Sequence, residues 1–517
     1  MKQMRQITLK KKVLLLIIVI SIVSLAIILL GVVFSFPLLP FSTVGQYPHL
    51  TEDHRGTIAV DLFAEGLSHP TSMAFIGNDT LLVLEKDIGS IIKITDGVLE
   101  EEPVLQVNVD STAERGLLGI AVLREEKQES TDVNANLDNE YRSSRARLTL
   151  DAMSPQSSMS SDCDCSVFIY FTQRNKVTGA TTIAEIDNNS TGYGHISNSD
   201  NSNSNNILRN VIYKYDWYEK SLTNPQLLLD LPAEPGPYHN GGKLKIGPDN
   251  QLYAVIGDLT DPNSILQNHH NLITNNNNNN NNQTPVLKSS SSVILRINPY
   301  DGLPSTDNPF MNHYQNYTLK KSGGIELGMD YYYAYGIRNS FGLAFDPLTE
   351  RLWDTENGED VFDEINIINP GFNSGWHKIM GPNSTATNFS ESELAMFKGA
   401  HYSDPVFSWK NSIGVTDIEF FNSYKLGTKY TNNLFAGDIN NGNLYFFKVN
   451  DDRTGLNFED VPGIVNDLIA DNQEEVDEVI LGTGFGGITD IETGPDGNLY
   501  ILSYQDGRIY RLTNLNK

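Results

Sequence analysis

From about residue 57 to the C-terminus, short apolar runs alternate with polar turns, and no long helical period interrupts them. The recurring unit is a strand, a turn often spelled Pro-Asp-Gly, a second strand, a glycine and a third strand. Its best copies are "HPTSMAFIGNDTLLVLEKDIGSIIKI" from His69 and "GGITDIETGPDGNLYILSYQDGRIYRL" from Gly486. Weaker copies are "RGLLGIAVL" leading to "CSVFIYFTQ", "GGKLKIGPDNQLYAVIGD", "SFGLAFDPLTERLWDTENG" and "GVTDIEFFNSYKLGTKYTNNLFAGDINNGNLYFFKV", six units in all. A strand unit that cannot bury both faces alone must stack on its neighbours, so the repeat predicts an all-β, six-bladed β-propeller over residues 57–517. Two stacked β-sandwiches account for the strands but not for the turn recurring at equivalent places.

Three polar stretches near 124–162, 188–206 and 268–290 are too poor in apolar residues to order themselves and are expected to be disordered insertions. At the other end, Val13 to Phe36 carry no charge and are long enough to cross a hydrocarbon core of roughly 30 Å as a helix. Lys10, Lys11 and Lys12 precede that stretch and orient it with residues 1–12 in the cytoplasm. A cleaved signal would have a shorter apolar region and a small-residue cleavage site. The expectation is a single-pass anchor, a linker over 37–56 and an extracytoplasmic body. Asn-x-Ser/Thr acceptors at Asn78, Asn188, Asn189, Asn316, Asn383 and Asn388 suit that compartment.

The net charge of −27 argues against nucleic acid or an anionic lipid surface as a partner, because both would be repelled. The only two cysteines, Cys163 and Cys165, are one residue apart, a spacing that strains a mutual disulfide. No dinucleotide-binding fingerprint follows any strand.

Three loops carry chemistry. "HNGG" sets the titratable His239 beside glycines that allow close approach. "YGIRNSFGLAFDP" brings Arg338, a fixed cation, next to Asn339, a donor and acceptor. "TENGEDVFDEINIINPGFNSGW" contains the turn Asn357-Gly358-Glu359, whose carbonyls suit a hard cation. In a propeller such loops converge at one mouth.

With "ERGLLGIAV", "HNGGKLKIGPDNQLY", "YGIRNSFGLAFDP", "WDTENGEDVFDEINIINPGFNSGW" and "DIETGPDGNLYILS", the body from about Phe63 to Leu512 resembles the glucose/sorbosone dehydrogenases, which include soluble sugar dehydrogenases dependent on pyrroloquinoline quinone (PQQ). The resemblance implies a six-bladed propeller that oxidises an aldose and passes electrons to an external acceptor. It implies that His239 is the general base and Arg338 the cation beside the reacting carbonyl. Glu114, Arg338, Asn339, Asn357, Trp409, Ser412, Asn440 and Thr489 fall on cofactor-lining positions. Gly358 and Glu359 match carbonyl ligands of calcium, and Asp363 and Glu364 an acidic pair used for a structural calcium.

The chain also departs from the family. Two cofactor-gripping arginines are replaced by Gly487 and Thr489, a lysine by Asn440 and a glutamine by Glu114; Tyr238 stands before His239 where some members have aspartate. Lys243 and Lys410 are the cations expected to compensate in part for this loss. Two other classes therefore stay open: a non-redox extracellular propeller that binds a glycan or protein, as in the hedgehog-interacting proteins, and a calcium-dependent lactone hydrolase using Asp258, Glu356 and Asp438.

The anchor has a direct test. The full chain should sediment with membranes, and a chain starting at Tyr47 should stay in the supernatant; equal partition of the two would refute the anchor.

Overall fold

The computed structural model describes residues 47–124, 163–176, 206–262, 265–268, 290–311, 327–387 and 389–515. The anchor predicted over 13–36 and most of the three predicted insertions lie outside these residues. Among the described residues no helix is long and apolar enough to cross a membrane.

Pro48–Lys517 is one compact unit made of six sheets, the six blades, antiparallel except for two short edge strands. Their innermost strands are Pro70–Phe75, Leu117–Arg124, Leu244–Ile246, Ser340–Phe345, Val415–Phe421 and Ile488–Thr493, which define blades 1 to 6 in chain order. Second strands such as Thr80–Glu85 and Leu252–Ile256 are buried along their whole length. Each blade is covered on both faces by its neighbours, so these strands are apolar on both sides and lose the clean alternation of a half-exposed sheet.

The ring is closed from the N-terminal side. Ile58–Glu65 pairs antiparallel with Arg508–Asn514 as the outer strand of blade 6. His49–Leu50 adds to Ile480–Thr483 on blade 5, and the short helix Glu52–Arg55 follows. The stretch expected to be a linker up to residue 56 thus already belongs to the propeller from Pro48 onward. Blades also exchange edges: Phe372–Asn373 runs parallel to Tyr332–Tyr335 of blade 3, and Ile469–Ala470 parallel to Phe407–Asn411 of blade 4. Cys163 and Cys165 form a disulfide after all, with their Cα atoms 5.5 Å apart, a separation within the ordinary range.

At the axis, side chains from opposite blades meet. Lys243, at the entrance to the inner strand of blade 3, places Nζ 2.6 Å from Asp417 of blade 5 and 2.7 Å from Asp490 of blade 6. One layer further along, Lys245 lies 3.4 Å from Glu419 and 3.3 Å from Glu492. Asp490 also accepts the Ser72 hydroxyl at 3.0 Å and the Met73 amide of blade 1. Burial opposes the charge on Lys243, but Asp417 and Asp490 outweigh it and hold the ammonium above the ordinary lysine value. Lys243 is therefore structural here and does not stand in for the missing cations of the mouth.

Removing one partner of a buried pair leaves uncompensated charge, so Lys243→Met should cost about 3–5 kcal/mol in denaturant unfolding. The N-terminal clasp supplies a pH test. His54 is buried, with Nδ1 2.7 Å from the Tyr430 hydroxyl. Burial and then Lys429 push its pKa from 6.5 down to about 4, against Asp53. The fold favours the neutral ring, so its contribution is complete above pH 6.5 and is lost as pH falls through about 4. The melting temperature of the native protein should drop across that window relative to His54→Gln.

Candidate active site

Neighbouring strands of a blade run antiparallel, so the start of each inner strand and the end of each second strand lie at the same end of the propeller. His239, Arg338, Asn339 and Glu114 precede inner strands, while Asp258 and Asn357 follow second strands. All six belong to one hydrogen-bonded network.

Glu114 anchors it. Its Oε2 accepts the His239 backbone N–H at 2.6 Å and the Asn339 side-chain amide at 3.3 Å, joining blades 2, 3 and 4. The His239 backbone is left-handed, with φ 59°, a conformation that costs a non-glycine residue of order 1 kcal/mol. It is held there by Glu114 and by its own carbonyl, which accepts Leu259 N–H at 3.3 Å. The ring is held too: Nδ1 lies 2.6 Å from Oδ1 of Asp258. Asp258 is fixed by Thr260 N–H at 2.7 Å and by the Trp376 indole N–H, which donates to Oδ2 at 2.8 Å. Nε2 of His239 has no hydrogen-bond partner among the described residues.

Arg338 packs against Trp376, its guanidinium 5.3 Å from the ring centroid. It donates from NH1 to the Asn357 carbonyl at 2.9 Å and from its backbone to Glu356 Oε1 at 2.6 Å. Two buried atoms here lack partners, Arg338 Nε and Asn339 Oδ1. Burial pushes the Glu356 carboxyl up to about 7, against the hydrogen bonds from Arg338 and Ser374. The adjacent Asp354 and Glu364 are likewise held above the carboxylate range, first by burial and then by Glu356.

The other predicted site residues do different work. Asp363 is saturated: it accepts N–H groups of Gly358, Ile413, Gly414 and Val415 and the Ser412 hydroxyl, and so ties the Asn357-Gly358 turn to the entrance of blade 5. A calcium ligand at Asp363 would have to give up these bonds. Glu364 is buried and accepts Gly381 N–H and the Asn366 amide. Gly358 is confined, since a Cβ there would fall 2.0 Å from the Val361 carbonyl oxygen, and Glu359 is exposed. Trp409 is buried between blades 4 and 5, against Phe407, Tyr445 and Phe447.

At the far side of the mouth, Asn440 is exposed beside Gly414, and Thr489 spends its hydroxyl on the Pro70 carbonyl at 2.9 Å. Lys410 is exposed, 3.7 Å from Asp471. Neither Lys243 nor Lys410 replaces the missing arginines. The carboxylates needed for a lactone hydrolase do not converge either. Asp258 is committed to His239, Asp438 to the Tyr445 hydroxyl at 2.7 Å, and no group of three acidic, histidine or cysteine side chains among the described residues could hold a metal.

Sequence reasoning missed two residues, Asp258 as the partner of His239 and Trp376 as the link between Asp258 and Arg338. Their faint signals are an aspartate two residues past a strand and the Gly-Trp of "NSGW".

This constellation can take a proton from a hydroxyl at Nε2 while Asp258 fixes the tautomer and Arg338 offers a cation nearby. Comparisons with known proteins agree with the fold. A family model described as glucose/sorbosone dehydrogenase matches residues 169–511. An uncharacterized protein of Synechocystis is 25% identical over 450 residues, 87% of this chain and 84% of its own length. The aldose sugar dehydrogenase YliI of Escherichia coli is 32% identical over 215 residues, 41% of this chain and 47% of its own. The soluble aldose sugar dehydrogenase of Escherichia coli in its apo form superposes with a TM-score of 0.54 at 20% identity, covering 88% of this chain and 99% of that one.

Asp258→Ala should destabilise the fold by about 1–3 kcal/mol, because the Trp376 N–H and Thr260 N–H lose their acceptor. Asp258→Asn, which keeps an oxygen, should lose less by the same denaturant measurement.

Proposed function

Because the chain belongs to the glucose/sorbosone dehydrogenase family, we propose that it oxidises an aldose at the propeller mouth with His239 as the general base. The observation that carries this reading is the His239–Asp258 pair tied to Arg338 through Trp376, which donates to Asp258 and packs against the guanidinium. His239 takes the proton of the reacting sugar hydroxyl at Nε2, and the resulting imidazolium is stabilised by Asp258. Trp376 joins the two sides of the site, since its indole N–H donates to Asp258 and its ring packs against Arg338. Arg338 meets negative charge that develops on the acceptor side at no cost in reorganisation, since its guanidinium is already fixed.

PQQ, with calcium, would supply the hydride-accepting chemistry, and the unpartnered Arg338 Nε and Asn339 Oδ1 fit its reacting end. Arg338, Asn339 and Asn357 would hold that end, with the Gly358 and Glu359 carbonyls toward calcium. The opposite end fits less well: Gly487, Thr489 and Asn440 bring no charge, and each missing charge-assisted contact is worth about 1.5–3 kcal/mol. That gap supports a second reading, a sugar-binding or protein-binding propeller without redox chemistry. In either reading the proposed setting is the extracytoplasmic face of a membrane, with residues 13–36 as anchor and an external electron acceptor.

With added calcium and PQQ, the full chain should reduce a dye in the presence of one or more aldoses. His239→Ala should lower the rate by about 10²–10⁴. Absence of PQQ binding at micromolar concentration would leave the second reading; full activity in the alanine variant would remove His239 as base.

A further inference from the structure

Blade 1 repeats the local construction of the His239 loop. His69, directly before the inner strand Pro70–Phe75, is left-handed with φ 45°, as His239 is with φ 59°. Its carbonyl accepts Lys86 N–H at 3.2 Å from the loop after the second strand, as the His239 carbonyl accepts Leu259 N–H. Its Nδ1 lies 2.8 Å from Oδ2 of Asp87, which follows the second strand Thr80–Glu85 by two residues, as Asp258 follows Leu252–Ile256. In blades 1 and 3 alike, a histidine of the loop before the inner strand pairs with an aspartate two residues past the second strand, at the same end of the propeller.

They differ in exposure. The side chains of His239 and Asp258 are 14% and 4% exposed, those of His69 and Asp87 53% and 34%. His69 stacks on Tyr504 of blade 6, with ring centroids 5.0 Å apart and planes 23° from parallel. Tyr504 N–H donates to the Gly487 carbonyl at 2.8 Å, and Thr489 binds the Pro70 carbonyl. Blade 6 therefore puts only small residues, Gly487 and Thr489, beside the aromatic pair, and no long side chain at these two positions covers it. Lys86 places Nζ 2.8 Å from Oδ1 of Asp87, and its carbonyl accepts Leu117 N–H at 3.0 Å. Leu117 stands three residues after Glu114, the residue that anchors His239, so the rim runs continuously from one pair to the other.

The chemistry of this rim selects the class of ligand. The Lys86 ammonium is paired with the Asp87 carboxylate, so an anion gains little. A polyhydroxylated ring gains from the adjacent donors and acceptor and from the open aromatic surface. Burial works against ionisation of Asp87, but the hydrogen bonds from Lys86 and His69 hold its carboxyl below the ordinary value, so it remains an acceptor.

We propose that His69, Asp87 and Tyr504 form a second glycosyl subsite, which holds a sugar unit of the chain whose reactive unit lies at His239 and makes an oligosaccharide the preferred substrate. The assignment of the ligand as a sugar rests on the dehydrogenase reading above, whereas the subsite itself rests on the geometry.

The test is calorimetric titration of the full chain with glucose, maltose and cellobiose, beside His69→Asn and Tyr504→Ala. Asparagine tolerates the left-handed backbone, so the first variant removes the ring without straining the loop. At least one disaccharide should bind about tenfold tighter than glucose, and that ratio should fall to within about twofold in both variants. A ratio near one in the native protein, or one that survives both substitutions, overturns the subsite. Should either variant unfold, Asp87→Asn gives the same readout. Dye reduction with the same sugars separates the two levels. Loss of the ratio without any oxidation keeps the subsite and removes the dehydrogenase, and oxidation with an unaltered ratio does the reverse.

Discussion

One buried cation holds the ring together. Blades 3 and 6 face each other across a six-membered ring, and Lys243 reaches from one to Asp490 of the other while also binding Asp417 of blade 5. Four carboxylates, Asp417, Glu419, Asp490 and Glu492, point to the axis from blades 5 and 6, and without Lys243 and Lys245 they would repel. Moving each such ion out of water costs several kcal/mol, so the pairing has to be geometrically close to repay it. Asp490 extends the tie to blade 1 through Ser72 and Met73. The axis is thus filled by charge, and the orientation of the blade entrances follows from it.

Those entrances are built so that polar side chains bond to backbone across blade boundaries. Glu114 of blade 2 holds the His239 amide of blade 3, Asp363 of blade 4 gathers three amides at the start of blade 5, and Thr489 of blade 6 donates to the first carbonyl of the inner strand of blade 1. Each bond is modest, but a buried amide left unpaired would be costly, so the loops have little freedom to move apart. A histidine can therefore be kept in a left-handed backbone with its ring pinned by an aspartate. The rigidity that closes the ring also orients the base.

The same economy explains the uneven electrostatics of the mouth. Lys243 and Asp363, both attractive as ligand-binding groups, are consumed by the fold. What remains toward the pocket is an imidazole, one guanidinium packed on Trp376 and two buried polar atoms without partners. The side of the mouth formed by blades 5 and 6 carries Asn440, Gly487 and Thr489 and no positive charge, whereas the side formed by blades 1 to 4 carries both histidine–aspartate pairs.

The alternation of apolar runs and turns determined six blades, because a strand unit apolar on both faces can bury itself only between two others. The loops holding His239, Arg338, Asn339 and Asn357 were legible for a related reason, since they sit at fixed places in the repeat. Closure by His49–Leu50 and Ile58–Glu65 was not legible beforehand, since pairing with strands over four hundred residues away leaves no local trace. Nor were the assignments of Asp363 to amides, Trp409 to the packing between two blades and Lys243 to the axis. A carboxylate, an indole or an ammonium has the same chemistry in any sequence; only the tertiary structure decides whether its partners are a ligand, a neighbouring strand or a charge from the opposite blade.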